Sequence, residues 1–252
     1  MEMLSTPEFW IGLLKIIGVN IILSGDNAVV IALAARSLPP KQQKQAVFWG
    51  AGAAIVLRIA LTLFAVKLLE LEWLKLVGSL LLFWIGVKLL VPEDDNGDIQ
   101  AHEHLMSAIR TILIADLVMS LDNVIAVAAA AGGNVVLLVL GLAISIPLVI
   151  FGATLLIKLM ERYPVIITIG AALIGWVAGE MLIADLALRP WLEPHGVQYL
   201  GQAPEIHPHY AGANLEYVCG AIGIVIVVVL GKWLAKRHEA AAAVQEAGPP
   251  NS

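Results

Sequence analysis

Seven long apolar stretches decide what this chain can fold into: roughly 9–35, 46–69, 73–91, 108–131, 134–159, 164–187 and 213–235. A helix needs about 20 mostly apolar residues to cross a bilayer. Inside hydrocarbon its backbone N–H and C=O groups must all bond within the segment. The stretches end for chemical reasons. "RSLPPKQQKQ" follows the first, "VPEDDNGDIQAHEH" the third, "AGGN" the fourth and "ERYP" the fifth. A longer Pro- and His-rich loop, "LRPWLEPHGVQYLGQAPEIHPHY", follows the sixth. With 60% hydrophobic and 14% charged residues, the chain lies far from the ~45–50% and ~25% of soluble domains. The expected fold is an all-α polytopic membrane protein with seven transmembrane helices, and the lipid bilayer is its first partner.

Residues 1–235 are expected as one transmembrane domain, and 236–252 as a flexible cytoplasmic tail. Lysines and arginines set the orientation. With the N-terminus outside, the inner side holds Arg36, Lys41, Lys44, Lys88, Arg110, Lys158, Arg162, Lys232, Lys236 and Arg237. The outer side then holds Lys67, Lys75 and Arg189. The chain is therefore expected in the cell inner (cytoplasmic) membrane with its C-terminus inside. No basic segment precedes the first stretch, which is too long for a signal-peptide core, so the N-terminus is expected to be retained. The single cysteine, Cys219, excludes an internal disulfide and a cysteine metal cluster within one chain. Nothing resembles a nucleic-acid module or a Gly-rich phosphate loop.

Two of the apolar stretches carry the same polar pattern. Asn20, Ser24, Asp26 and Asn27 stand at the spacing of Asp116, Ser120, Asp122 and Asn123, each exactly matched pair 96 positions apart. "VKLLE" (66–70) reappears as "IKLME" (157–161), and Gly78 and Trp84 match Gly170 and Trp176. The first three stretches (about 8–91) and the next three (about 108–187) thus read as two copies of one unit. A unit with an odd number of spans inserts its second copy upside down. Secondary transporters use this inverted-repeat plan and place their sites near the midplane. The seventh helix, about 213–235, stands outside the repeat.

Asp26 and Asp122 then enter the bilayer from opposite sides. An ionised carboxylate there costs about 2.5–3.5 kcal/mol even on the gentlest insertion scale. Two together repel unless a cation lies between them. Carboxylate and amide oxygens suit Mg, Ca or Mn. The six histidines all lie in loops or the tail, which leaves copper and zinc without ligands. Met119 offers either a sulfur favouring Mn or plain packing. Ser24 and Ser120 serve either as ligands or as hydrogen bonders between helices. At about 100° per residue, Asn20, Ser24 and Asn27 share one helix face and Asp26 points aside. Either that polar face is wide, or the helix unwinds near Gly25 and frees backbone carbonyls. Leu121 stands in place of that glycine in the second copy.

The doubled "SGDN" and "SLDN" frames within seven spans resemble the TerC family of integral membrane proteins, most of all its short YjbE-type branch. That family belongs with the LysE-type exporters. The likeness covers roughly residues 8–235. It implies export of manganese(II), with Ca²⁺ or another divalent ion as alternatives, and no tightly bound cofactor. It also implies a metal site made by Asn20, Asp26, Asn27, Asp116, Asp122 and Asn123. A second reading is an interaction protein that hands metal to secreted enzymes or to the secretion machinery. The enzyme alternative, an intramembrane aspartyl protease, would want a Gly-x-Gly-Asp frame and a Pro-Ala-Leu-like segment, and neither is present, so no enzyme is expected.

Other charges remain open at this level. Arg58, mid-span, either pairs with an aspartate of the empty site and swings away on metal binding, or forms a static ion pair. Lys88 and Glu180, 92 positions apart, are either gates or snorkelling ends. The acidic 93–98 run and the His-bearing 195–209 loop either collect cations or are solvated. The small-residue pairs Gly50/Ala54 and Gly175/Gly179 allow close helix contacts within one chain or in a homo-oligomer.

Overall fold

The structure is a computed structural model, and it describes the backbone of residues 7–69, 71–91, 97–132, 134–202 and 205–246. Side chains at 7–8, 65–69, 97–102, 122, 125, 201–202, 205–206 and 242–246 fall outside the described set. The chain is mostly helical. Its elements are α1 (Pro7–Leu23), α2 (Gly25–Ala35), α3 (Pro40–Leu69), α4 (Leu74–Lys88), α5 (Gly97–Ala131), α6 (Val135–Arg162) and α7 (Val165–Ile183). After these come a one-turn α8 (Arg189–Leu192), strands β1 (Gln198–Gln202), β2 (Glu205–Tyr210) and β3 (Ala213–Asn214), and the long α9 (Leu215–Glu246).

Five helices are long and apolar enough to cross a membrane: Pro40–Phe64, Glu103–Leu121, Val135–Arg162, Val165–Ile183 and Leu215–Ala241. A sixth candidate is the pair α1 and α2, bent by 51° at a short break. The seven expected spans thus become five or six by length and composition. The missing one is α4. It keeps only 15 residues, a rise of about 22 Å against a hydrocarbon core of about 30 Å.

The surface is apolar all round. Trp10, Ile22, Trp49, Phe64, Trp84, Phe151 and Trp233 are all exposed. A water-soluble molecule would hide most of them; lipid tails solvate them. The interior is built by α2, α3, α4, α5, α6 and α7, where Leu33, Leu82, Ile85, Ile112, Met160, Ile174 and Met181 are almost wholly buried. Helix α3 packs along α5, and α6 packs along α1 and α2. Helix α4 lies on α7, and both touch α9.

Small residues set the closest approaches. A Cβ on Gly179 would run into the backbone carbonyl of Cys219, and one on Gly223 into that of Gly175. A Cβ on Gly50 would meet Ile112 Cδ1 at 2.8 Å. Both small-residue pairs noted in the sequence therefore serve contacts within this chain, α7 on α9 and α3 on α5.

Two features correct the sequence reading. The Pro- and His-rich loop is not irregular: β1, β2 and β3 form an antiparallel sheet in that order, so the fold is not purely all-α. Gln198 pairs with His209, and His209 pairs again with Asn214 on the other side. The expected flexible tail starts as helix, because α9 continues through Glu246. Its "LAKRHEAAAAVQE" run is rich in strong helix formers. Residues 247–252 lie outside the described set.

One carboxylate that the sequence does not single out holds two ends together. Asp185 is 2% exposed and accepts from the backbone N–H of Trp73 (3.1 Å), Leu76 (2.8 Å) and Ala187 (2.7 Å). It thereby caps the start of α4 from the end of α7 and supports Trp73 at φ 70°, a left-handed conformation rare for a bulky residue. Replacing Gly179 by Val is expected to cost ~3 kcal/mol, the upper end for overpacking. Gly52→Ala, whose Cβ meets nothing within 4 Å, is expected to be neutral or slightly stabilising. Thermal unfolding of the detergent-solubilised variants checks both.

Candidate functional site

The site begins at a break in the first apolar stretch. Ser24 leaves the helical conformation (φ −109°, ψ 5°) and divides α1 from α2. Chain ends of this kind leave backbone donors and acceptors without partners inside the helix. Two of these are taken by the polar frames. The Asn27 N–H donates to Asp26 Oδ1 at 2.8 Å. The Leu23 carbonyl accepts from Asn123 Nδ2 at 3.2 Å, so the second frame ties down the break in the first. The helix does interrupt near Gly25, as one of the two sequence alternatives holds. The second frame stays inside the continuous α5, where Leu121 stands in place of that glycine.

Arg58 of α3 reaches into the junction of α1, α2 and α5. Its guanidinium is 3% exposed and every nitrogen is engaged. Nη1 donates to Asn20 Oδ1 (2.8 Å) and to Ser24 Oγ (3.0 Å). Nε donates to Ser120 Oγ (3.0 Å), and Nη2 to Asp116 Oδ1 (2.6 Å). Ser120 Oγ in turn donates to Asp116 Oδ2 at 3.2 Å, and Ser24 Oγ to Asn20 Oδ1 at 3.3 Å. A planar fork of five donors fits such a ring of oxygens, and a lysine would not. The two serines thus act as hydrogen bonders across helices here.

Asn20, Ser24 and Asn27 are buried and Asp26 is only partly so, in keeping with its place off their shared face. Beside the guanidinium lies a small cavity lined by Asn20, Ser24, Asn27, Arg58 and Asp116. It offers about 10 Å³ to the centre of a water-sized sphere, the room of a single water or ion. Both polar atoms of the Asn27 side chain, and Asn20 Nδ2, are buried without a hydrogen-bond partner.

The structure therefore brings Asn20, Asn27 and Asp116 around one cavity, with Asn123 and Asp26 at the adjoining break. Asp122 lies on α5, and its side chain is outside the described set. Among the described residues, no three His, Cys, Asp or Glu side chains form a metal-holding group. Met119 is buried in the main core, which is the packing alternative.

The remaining charges lie elsewhere. Lys88 stands 5.5 Å over the Trp84 ring and within 3.4 Å of Ser107 Oγ. With Arg36 and Ser37 it lines a separate cavity of about 260 Å³, whose basic lining suits no cation. Glu180 is half-buried in α7. In the hairpin loop, His207 Nδ1 meets Glu216 Oε2 at 2.7 Å and Arg189 lies 5.0 Å over the Tyr199 ring. Burial raises the Tyr199 hydroxyl above its usual pKa. The acidic 93–98 run falls mainly outside the described residues.

Removing Asp116 would leave a guanidinium buried and unpaired. Asp116→Ala is expected to lower stability by about 3–5 kcal/mol, and Asn123→Ala by about 1 kcal/mol. Unfolding midpoints of the two variants, ranked against the parent, check the order.

The comparisons with known proteins agree with this architecture. The model of the "Integral membrane protein TerC family" matches residues 5–239. The "Uncharacterized membrane protein YjbE" of Bacillus subtilis (strain 168) is 44% identical over 75% of this chain and 87% of its own length. The "Uncharacterized membrane protein YkoY" of the same organism is 27% identical over 71% of this chain and 61% of its own. The "UPF0053 inner membrane protein YoaE" of Escherichia coli (strain K12) is 28% identical over 73% of this chain. The matched region is only 39% of that longer relative. No solved structure matches. A polytopic helical chain with paired Asp-Asn frames, matched from residue 5 to 239, belongs to the TerC family of integral membrane proteins.

Proposed function

We propose that this chain exports a divalent cation, manganese(II) first, by alternating access between two inverted three-helix repeats. The observation that carries the reading is the convergence of both polar frames on one buried point. Asn20 and Ser24 of the first, and Asp116 and Ser120 of the second, meet at Arg58 within hydrogen-bonding distance. Asp26 lies within electrostatic reach of both Arg58 and Asp116.

The helix contacts support the repeat. Exchanging α1–α2, α3 and α4 for α5, α6 and α7 turns the α3–α5 contact into the α6–α1/α2 contact. It also turns α4–α5 into α7–α2. A pseudo-two-fold relation requires such an exchange, and α3–α6 and α4–α7 map onto themselves. In this reading α1 and α2 form one broken span. The short α4 crosses where the bilayer yields or among its neighbours, giving seven spans. The lysine and arginine distribution then puts the N-terminus outside and the C-terminus in the cytoplasm of an inner-membrane protein.

The ligands are Asn20, Asp26, Asn27, Asp116, Asp122 and Asn123. Their oxygens suit Mn²⁺, Ca²⁺ or Mg²⁺, and the family likeness puts manganese first. Discontinuous helices at the centre of an inverted repeat are common ion sites in transporters, and the break at Ser24 supplies one.

The test uses cells loaded with manganese. Total metal is measured for the parent, for Asp26→Ala and Asp122→Ala confirmed as inserted, and for an empty control. The parent is expected to lower cell manganese several-fold while each variant matches the control. A parent equal to the control for manganese, calcium and magnesium overturns export and favours metal delivery.

A further inference from the structure

We infer that Arg58 is a tethered substitute for the transported cation: its guanidinium pairs with Asp116 when no ion is bound, leaves it when one binds, and so neutralises that carboxylate while the emptied carrier reorients. This inference rests on the export reading and adds a role for a residue outside the ligand set.

The geometry points this way because the guanidinium takes two of the proposed ligand oxygens, Asn20 Oδ1 and Asp116 Oδ1. It holds Asn20 Oδ1 and Ser24 Oγ from the first frame and Ser120 Oγ and Asp116 Oδ1 from the second. A divalent ion on Asp116 would sit within a few ångströms of a positive charge that is permanent, since an arginine does not lose its proton in a protein. In a low-dielectric interior that repulsion is severe. The two cations therefore exclude each other, and one carboxylate serves both in turn.

A second, independent observation marks where the ion enters. The cavity beside the guanidinium is lined by Asn27, 3% exposed, whose Oδ1 and Nδ2 are both without a partner. Unsatisfied amides in a buried place are rare and costly. They are explained if Oδ1 is a ligand waiting for an ion. The same cavity is lined on α3 by Ala51 and Ala54, two turns and one turn before Arg58.

Free energy supplies the consequence. A carrier that has released its ion outside must return with its carboxylate either neutralised or paired. The Arg58–Asp116 pair is such a neutral unit for one of the three aspartates, and Asp26 and Asp122 return protonated. Without it, only the ion-loaded carrier crosses readily. Exchange of ion for ion then survives while net export stalls.

The experiment uses the full chain in liposomes of phosphatidylethanolamine and phosphatidylglycerol, loaded with labelled Mn²⁺. Exchange is read with Mn²⁺ on both sides and net efflux into metal-free buffer. Arg58→Gln is expected to keep exchange within roughly threefold of the parent while net efflux falls about tenfold or more. Its Mn²⁺ dissociation constant should also drop about tenfold as the internal competitor is lost. Arg58→Lys keeps a charge and should recover part of the net efflux. If Arg58→Gln elutes as a folded species and loses both modes equally, or keeps both, the inference is overturned. Should Arg58→Gln fail to fold, Arg58→Lys decides: an unchanged ratio of net efflux to exchange overturns the inference, and a lowered ratio with exchange retained supports it. A parent that shows neither mode overturns the export reading itself.

Discussion

A guanidinium taken out of water between three helices sets the terms for the rest of this molecule. Burying an arginine costs several kcal/mol unless its donors and its charge are met. Here one carboxylate and three neutral oxygens meet them, and they come from two segments almost a hundred residues apart. Break any of those partners and the penalty returns. The α3–α5 packing, with Gly50 against Ile112, brings Arg58 close enough to Asp116 and Ser120. The α1–α2 break turns Ser24 towards the same point. The polar centre is thus a condition on how the apolar helices pack, as well as a result of it.

The two frames are alike in sequence and different in structure. Ser24 interrupts its helix, and Ser120 does not. Asn20 offers an amide oxygen to the guanidinium, and Asp116 offers a charge. Near-symmetry supplies two sets of oxygens, and this departure from symmetry supplies the carboxylate that pairs with Arg58.

Much of this was legible in the residues. Long apolar runs with few charges can hardly be anything but membrane helices, and the doubled frame is visible because both copies keep their spacing. The helix break was foreseeable at Gly25 and not in the second copy, because Leu121 resists unwinding where a glycine permits it. Other features were hidden. The stretch 73–91 exceeds α4 mainly at its end, where Leu90 and Val91 turn back onto the Val87 and Lys88 carbonyls, which hydropathy does not register. Asp185 reads as an ordinary loop charge until three backbone amides are seen to point at it. The β-hairpin escaped because its strands are short and carry Pro and His, whose ladder partners are set by tertiary contact. The tail continues α9 as helix to Glu246 because its alanines and long charged residues favour helix.

The central claim is that both frames build one cation site, and direct binding tests it most simply. The purified chain is titrated with Mn²⁺ while the six-line electron paramagnetic resonance signal of the free ion is followed. The account predicts one tightly bound ion per chain, and loss of that binding both in Asp26→Asn and in Asp122→Asn. Absence of binding in the parent, or binding that survives either substitution, would contradict it.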